Sequence, residues 1–225
     1  MNKVVIASNN LGKLNEIGAI LAPLDIEVVP QSVLGIAEAA EPHATFVENA
    51  LAKARHASRA SGLPALADDS GICVRALNGA PGVHSARFAG GAPAGTARDA
   101  QDALNNARLL ALMARESDRH AHYYCVMVLT RHADDPQPLV CDGEWHGQIA
   151  REPRGTGGFG YDALFLIPQL GMTSAELTPA EKNRLSHRGV ALAALAARLR
   201  ATFGVRETTP ADPARGRRPR GTDRL

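Results

Sequence analysis

The chain has 225 residues, with 25 Lys and Arg against 23 Asp and Glu and an apolar fraction of 45%. That length suits one domain or two small ones, and the ordinary apolar and charged fractions exclude fibrous, collagenous and wholly disordered classes. Three separated cysteines, Cys73, Cys125 and Cys141, lack CxxC spacing or metal-type pairing with histidine and read as reduced thiols of a cytoplasmic protein.

The first strand is expected over Lys3 to Ala7, where Val4, Val5 and Ile6 follow one another as in a strand buried on both faces. It stops at Ser8-Asn9-Asn10. Only four apolar residues follow Lys3 before that break, which is not the form of a signal peptide. From Leu11 the period becomes helical through Leu14, Ile17, Leu21 and Leu24, and Ile26 to Val29 reads as a second strand. After an irregular acidic stretch, Thr45-Phe46-Val47-Glu48 has capping-box spacing, and the helix it opens should end near Ser61 because Gly62 and Pro64 follow.

Ala65-Leu66-Ala67 then reads as a short strand that ends on Asp68-Asp69-Ser70-Gly71, with a further strand over Ile72, Val74 and Leu77. A Gly/Ala-rich loop at 90 to 95 leads to a helix from about Arg98 to Arg115. Tyr123 to Thr130 and Leu139 to Ile149 form a hairpin across Asp134-Asp135-Pro136, and Ala163 to Ile167 is another strand. Thr178-Pro179-Ala180-Glu181 opens a helix, and the last helix runs from about Ser186 to Phe203. No run of apolar residues reaches the roughly 20 needed to cross a bilayer. Residues 204 to 225 hold six of the 25 basic residues with three Pro and three Gly, and are expected to form a disordered tail. The basic excess therefore belongs to the tail, and residues 1 to 203 are near neutral.

Four segments can carry chemistry. Asp68 and Asp69 crowd two carboxylates where an α/β fold keeps its ligands, an arrangement suited to Mg²⁺; DDSG is equally well explained as a capped turn with solvated acids. Ser8 to Lys13 joins a strand to a helix start, where backbone N–H groups and an ammonium can hold phosphate, although a plain helix start has the same form. Gly157-Gly158-Phe159-Gly160-Tyr161-Asp162 places two aromatics in a backbone that a planar base can approach closely; a glycine-rich loop packing its aromatics on the core is the alternative. Lys182 and Ser186-His187-Arg188 offer donors for a carbonyl or phosphate, or an ordinary helix junction.

Taken in order, SNNLGKLNEI, TFVENALAKA, ADDSGICVRALNGAPGVHSARFAG, GTGGFGYDALFLIP and AELTPAEKNRLSHRGVAL resemble the motifs of the Ham1-like non-canonical purine nucleoside triphosphate pyrophosphatases. The resemblance covers residues 1 to 203. It implies an α/β fold with an elongated mixed sheet, flanking helices and two lobes around a nucleotide cleft. It further implies a homodimer, and hydrolysis of dITP, ITP and XTP to the monophosphate and pyrophosphate with Mg²⁺ as cofactor.

By the resemblance, Ser8, Asn9, Asn10, Leu11, Gly12 and Lys13 match the phosphate loop. Asp69 matches the catalytic proton acceptor and metal ligand, with Asp68 as support, and Ser70 contacts the nucleotide. Phe159, Gly160, Tyr161 and Asp162 match the base pocket, and Lys182, His187 and Arg188 close over base and phosphates. Relatives carry adjacent acids before the T-F-x-E-N helix, whereas this chain has Ala40-Glu41, so either Glu41 or Glu38 would complete the metal site. His84 stands where relatives have an aromatic residue. Two other readings predict different behaviour: nucleic-acid binding through the Arg-rich tail, or a Maf-like pyrophosphatase acting on modified pyrimidines. A substrate panel and deletion of the tail separate them. The favoured reading expects no membrane and no stable nucleic-acid partner.

Overall fold

Val4, Val5 and Ile6 are almost wholly buried, as a strand covered on both faces requires, and form β1 (Lys3–Ile6). The computed structural model of the protein describes residues 3–24, 26–90 and 97–203. The tail and most of the Gly/Ala-rich loop at 90 to 95 lie outside the described residues. After β1 come α1 (Leu11–Leu21), β2 (Glu27–Pro30), α2 (Phe46–Ser61), β3 (Ala65–Val74) and α3 (Arg98–Leu112). The hairpin β4 (His120–Thr130) and β5 (Leu139–Ile149), the short β6 (Phe165–Ile167) and β7 (Met172–Thr173), then α4 (Pro179–Leu185) and α5 (His187–Phe203) complete the order.

The helix boundaries follow from local chemistry. Thr45 caps α2 by accepting from the Glu48 N–H, and Gly62 closes the helix in the left-handed region at φ 70°. Glu48 returns to the Thr45 hydroxyl at 2.6 Å. In α4 the expected capping box is complete: Glu181 accepts from the Thr178 N–H at 2.9 Å, and Pro179 sits in the first helical turn.

The seven strands form one mixed sheet in the order β2-β1-β3-β4-β5-β6-β7, parallel from β2 to β3 and antiparallel beyond. α1 and α5 cover one face, packing Ile17, Leu21, Leu192, Leu195 and Leu199 against Ile6, Leu66, Met127 and Leu129. α2 covers the other face, where Ala50, Ala54 and Ala57 let its backbone lie close to Val5, Ala65, Ala67 and Val128. A separate core at the far end joins Ile72, Val74, Tyr123, Trp145 and Phe165 to Leu109 and Met113 at the end of α3. The long strands β3, β4 and β5 connect these two lobes.

One expectation is corrected. Asp68 to Gly71 is not a turn between two strands, and the acids do not stand at a strand's carboxyl end. β3 runs unbroken for ten residues, paired with β4 from Ala65↔Thr130 to Val74↔Ala121. Gly71 serves close packing and not a bend: a Cβ there would lie 2.3 Å from the Gly82 carbonyl oxygen and 2.5 Å from Ser85 Oγ. The same Ser85 Oγ accepts the Ile72 N–H at 2.9 Å, which replaces a strand neighbour on that edge of β3.

Candidate active site

The register of β1 with β3 ends at Ile6↔Leu66, and the next pairing on that edge of β3 is the bridge of Cys73 to Pro81, so the edge between them has no strand neighbour. A cavity of about 600 Å³ surrounds that edge, and six acidic and six basic side chains face it among the described residues. Ser8, Asn10 and Lys13 enter it from the start of α1. Asn10 caps that helix, its Oδ1 accepting from the N–H groups of Gly12 at 3.0 Å and Lys13 at 3.5 Å. The N–H groups expected to hold phosphate are thus engaged by the protein's own side chain.

Asp68 and Asp69 project to opposite faces of the strand, as the two-residue period demands. On the α1/α5 side, Asp68 Oδ2 takes Lys13 Nζ at 2.9 Å, Arg188 Nη2 at 3.3 Å and the Ser70 hydroxyl at 3.3 Å. Burial alone would raise the Asp68 pKa, but Lys13, Arg188 and Lys53 outweigh it and hold the carboxyl well below the usual carboxylate range. Arg188 also pairs with Glu16 of α1. On the α2 side, Asp69 Oδ1 receives Lys53 Nζ at 3.2 Å and Oδ2 receives Asn49 Nδ2 at 3.2 Å. Burial raises the Asp69 pKa, and the opposing pull of Lys53 is partly cancelled by Glu41 and Asp68. Lys53 also touches Glu41 at 2.6 Å, so one ammonium bridges two carboxylates.

The donor set around Lys53 fits a hard divalent cation. Glu41 and Asp69 offer carboxylate oxygens to one point of positive charge, whereas the described residues contain no ready-made cluster of three His, Cys, Asp or Glu ligands. Mg²⁺ characteristically uses one or two carboxylates and takes its remaining oxygens from phosphates and water.

At the other end of the cavity, the loop between β5 and β6 brings Phe159 over α1. Its ring blocks the space beside Gly12, where a Cβ would lie 2.8 Å from Phe159 Cε1. Lys182 Nζ lies 4.6 Å from the Phe159 ring centroid, and the Arg188 guanidinium carbon 5.9 Å. Asp162 braces this loop: its Oδ2 accepts the Phe159 N–H at 2.8 Å and Lys182 at 2.7 Å, and its Oδ1 accepts the Ser174 hydroxyl at 2.9 Å. Tyr161 donates its hydroxyl to the Ser85 carbonyl at 2.8 Å. His187 stacks on Tyr123, with ring centroids 4.6 Å apart and planes 7° from parallel. Burial, reinforced by the Arg188 and Lys182 charges, keeps the His187 pKa well below its ordinary value, so the imidazole is neutral.

Of the residues singled out in the sequence, Ser8, Asn10, Lys13, Asp69, Ser70, Phe159, Gly160, Tyr161, Asp162, Lys182, His187 and Arg188 line this cavity, with Asp68 beside them. Asn9 and Leu11 are exposed, Leu11 at 74%, and Gly12 lies against Phe159; these three are not in the wall. Glu38 and Glu41 both reach it, and Glu41 is the one bound to the Lys53 bridge. His84 is exposed and away from it. Sequence reasoning missed Asn49, Lys53, Arg87, Asp102 and Tyr123. The available signals were the segments TFVENALAKA, which holds Asn49 and Lys53 at helical i,i+4 spacing, and ADDSGICVRALNGAPGVHSARFAG, which holds Arg87.

The Ham1 family pattern matches residues 4–198. A dITP/XTP pyrophosphatase of Ralstonia nicotianae is 62% identical over 202 residues, covering 89% of this chain and 98% of that protein. A dITP/XTP pyrophosphatase of Nitrosomonas europaea is 60% identical over 213 residues, covering 95% of this chain and all of that protein. The structure of a HAM1 protein from Coxiella burnetii superposes with a TM-score of 0.81 at 47% identity, covering 90% of this chain and all of that one.

Proposed function

The chain belongs to the Ham1 family, and from that premise we propose that it hydrolyses deaminated purine nucleoside triphosphates, dITP, ITP and XTP, to the monophosphate and pyrophosphate. It is a hydrolase of phosphoanhydride bonds. The observation that carries this reading is the pairing of a cationic wall, half-buried Lys13 with buried Lys53, Lys182 and Arg188, with an aromatic loop at Phe159 and a carboxylate of raised pKa at Asp69, all in one cavity.

The acids of the cavity engage its cations: Asp68 holds Lys13 and Arg188, and Glu41 with Asp69 holds Lys53. A triphosphate brings stronger acceptor oxygens to the same side chains, and charge that grows on those oxygens during bond cleavage is stabilised there. Asp69 accepts a proton from the water that attacks the α-phosphorus. The bond from that phosphorus to the bridging oxygen breaks, and its electron pair leaves with pyrophosphate. Mg²⁺ held by Asp69 and Glu41 would supply Lewis-acid polarisation of phosphate oxygens.

Phe159 stacks on the base, and Lys182, His187 and Arg188 face its edge. A neutral His187 and the Arg188 guanidinium supply donors for a 6-oxo group, whereas the 6-amino group of adenine would meet donors with no acceptor. A buried donor left unpaired in this way discriminates strongly. We further assign the chain to a homodimer and to the cytoplasm; none of its described helices is long and apolar enough to cross a membrane.

Pyrophosphate release from dITP, XTP, dATP and dGTP with Mg²⁺ tests the function. Release from dITP and XTP should exceed that from dATP, whose 6-amino group meets donors with no acceptor, by at least about a hundredfold in kcat/KM. Equal rates on all four would refute the base selectivity, and no release from any would refute the activity.

A further inference from the structure

Two side chains of α3 hold the loop that carries Phe159 by hydrogen bonds to Gly160. Gly160 sits at φ +62°, and both of its backbone groups are held by side chains one helical turn apart. Its N–H donates to Asp102 Oδ2 at 2.8 Å, and its carbonyl accepts from Asn106 Nδ2 at 2.9 Å. Burial raises the Asp102 pKa against the opposing effect of the Gly160 N–H.

The same stretch of α3 holds a second segment of the cavity wall. Asn105, buried to 1% exposure, donates Nδ2 to the Ala86 carbonyl at 3.1 Å and accepts the Ala89 N–H at 2.8 Å on Oδ1. Ala86 and its neighbours Ser85 and Arg87 also line the cavity, and Ser85 is tied to the Phe159 loop by the Tyr161 hydroxyl at 2.8 Å. α3 therefore braces, beside the Tyr161–Ser85 bond, two cavity segments that are more than 70 residues apart in sequence. Its far end is fixed in the core by Leu109 and Met113.

We propose that Asp102 and Asn106 are positioning residues that set base discrimination by clamping the Gly160 peptide and so fixing the width of the cleft at the base. This rests on the assignment of the Phe159 loop to the base end. Neither residue needs to touch the nucleotide. A slot of fixed width lets stacking and the donors of His187 and Arg188 be satisfied together by one base outline. A loop that drifts by an ångström relaxes that requirement for all bases, and misplacement on this scale has large kinetic consequences.

The experiment compares wild type with Asp102→Ala, Asp102→Asn and Asn106→Ala, measuring kcat and KM separately for dITP and dATP together with thermal unfolding. Asp102→Ala should raise KM for dITP about tenfold with kcat within about threefold, and cut the dITP over dATP preference about tenfold. Asn106→Ala should move both quantities in the same direction by less. Asp102→Asn keeps an oxygen acceptor for the Gly160 N–H and should return to within about threefold of wild type. Amide exchange over residues 155 to 162 reads the clamp without turnover and should quicken in Asp102→Ala.

A folded Asp102→Ala that keeps full preference and unchanged exchange overturns the clamp. So does an Asp102→Asn as impaired as Asp102→Ala, because the carboxylate charge itself would then be what matters. A wild type that does not prefer dITP overturns the reading of the base end, and with it the specificity role, whatever the variants do.

Discussion

Asp68 and Asp69 are neighbours in sequence and occupy opposite environments. The pleat of β3 turns Asp68 toward α1 and α5, where Lys13, Arg188 and Ser70 converge on one of its oxygens and its pKa is depressed. Asp69 turns toward α2, where Lys53 and Asn49 each take one oxygen while Glu41 and Asp68 add negative charge, and its pKa is raised. A carboxyl locked as an anion holds the cationic side chains in place. A carboxyl with a raised proton affinity can take a proton. One strand thus presents two carboxyls in opposite settings by alternation alone, according to which helix each faces, and under the proposed function the one of raised proton affinity is the proton acceptor.

The sharpest way to break this comparison is to neutralise Asp68, the member held as an anion. Asp68→Asn leaves buried Arg188 and half-buried Lys13 with one counter-charge fewer, and should lower stability by about 3 kcal/mol at pH 7 in denaturant unfolding. Unchanged stability would mean that Glu16 suffices for Arg188. A smaller effect is expected on the other face. Asn49→Ala removes the donor to Asp69 Oδ2, and also two bonds to the backbone of His43. It should slow turnover about tenfold with a stability loss of about 1 kcal/mol. A rate at the wild-type level would show that Lys53 alone orients Asp69.

The smallest effect is on pH dependence. The folded Asp68 pKa lies below its unfolded value, so its contribution is complete above about pH 4 and fades as pH falls toward the folded value. The stability gap between wild type and Asp68→Asn, measured without nucleotide or metal, should therefore narrow below about pH 4. A gap that stays constant through that range would contradict the depressed pKa.

Features fixed by neighbours in sequence were legible. The capping residues Thr45 and Thr178, the left-handed Gly62 and the ends of β5 depend on local chemistry, and each is where the sequence indicated. The turn read into Asp68 to Gly71 failed for a non-local reason. Acids and glycine break the apolar alternation of a strand, but β4 pairs along its whole length, and partners from α1, α2 and α5 compensate the charges. Gly71 carries no mark showing that it makes room for Gly82 and Ser85. The clamp of α3 on Gly160 joins residues more than 50 positions apart, with Asp102 and Asn106 lying on a helix that has no motif of its own. The cavity motifs were visible because several unusual residues stand together in each; single polar side chains on otherwise ordinary helices were not.

The division between the two acids is tested most directly by turnover of Asp69→Asn on dITP with Mg²⁺, with the folded fraction measured in the same preparation. The account predicts a folded protein whose kcat falls at least about a hundredfold, the scale of a lost general base. A folded Asp69→Asn that turns over dITP at a near-normal rate would contradict it.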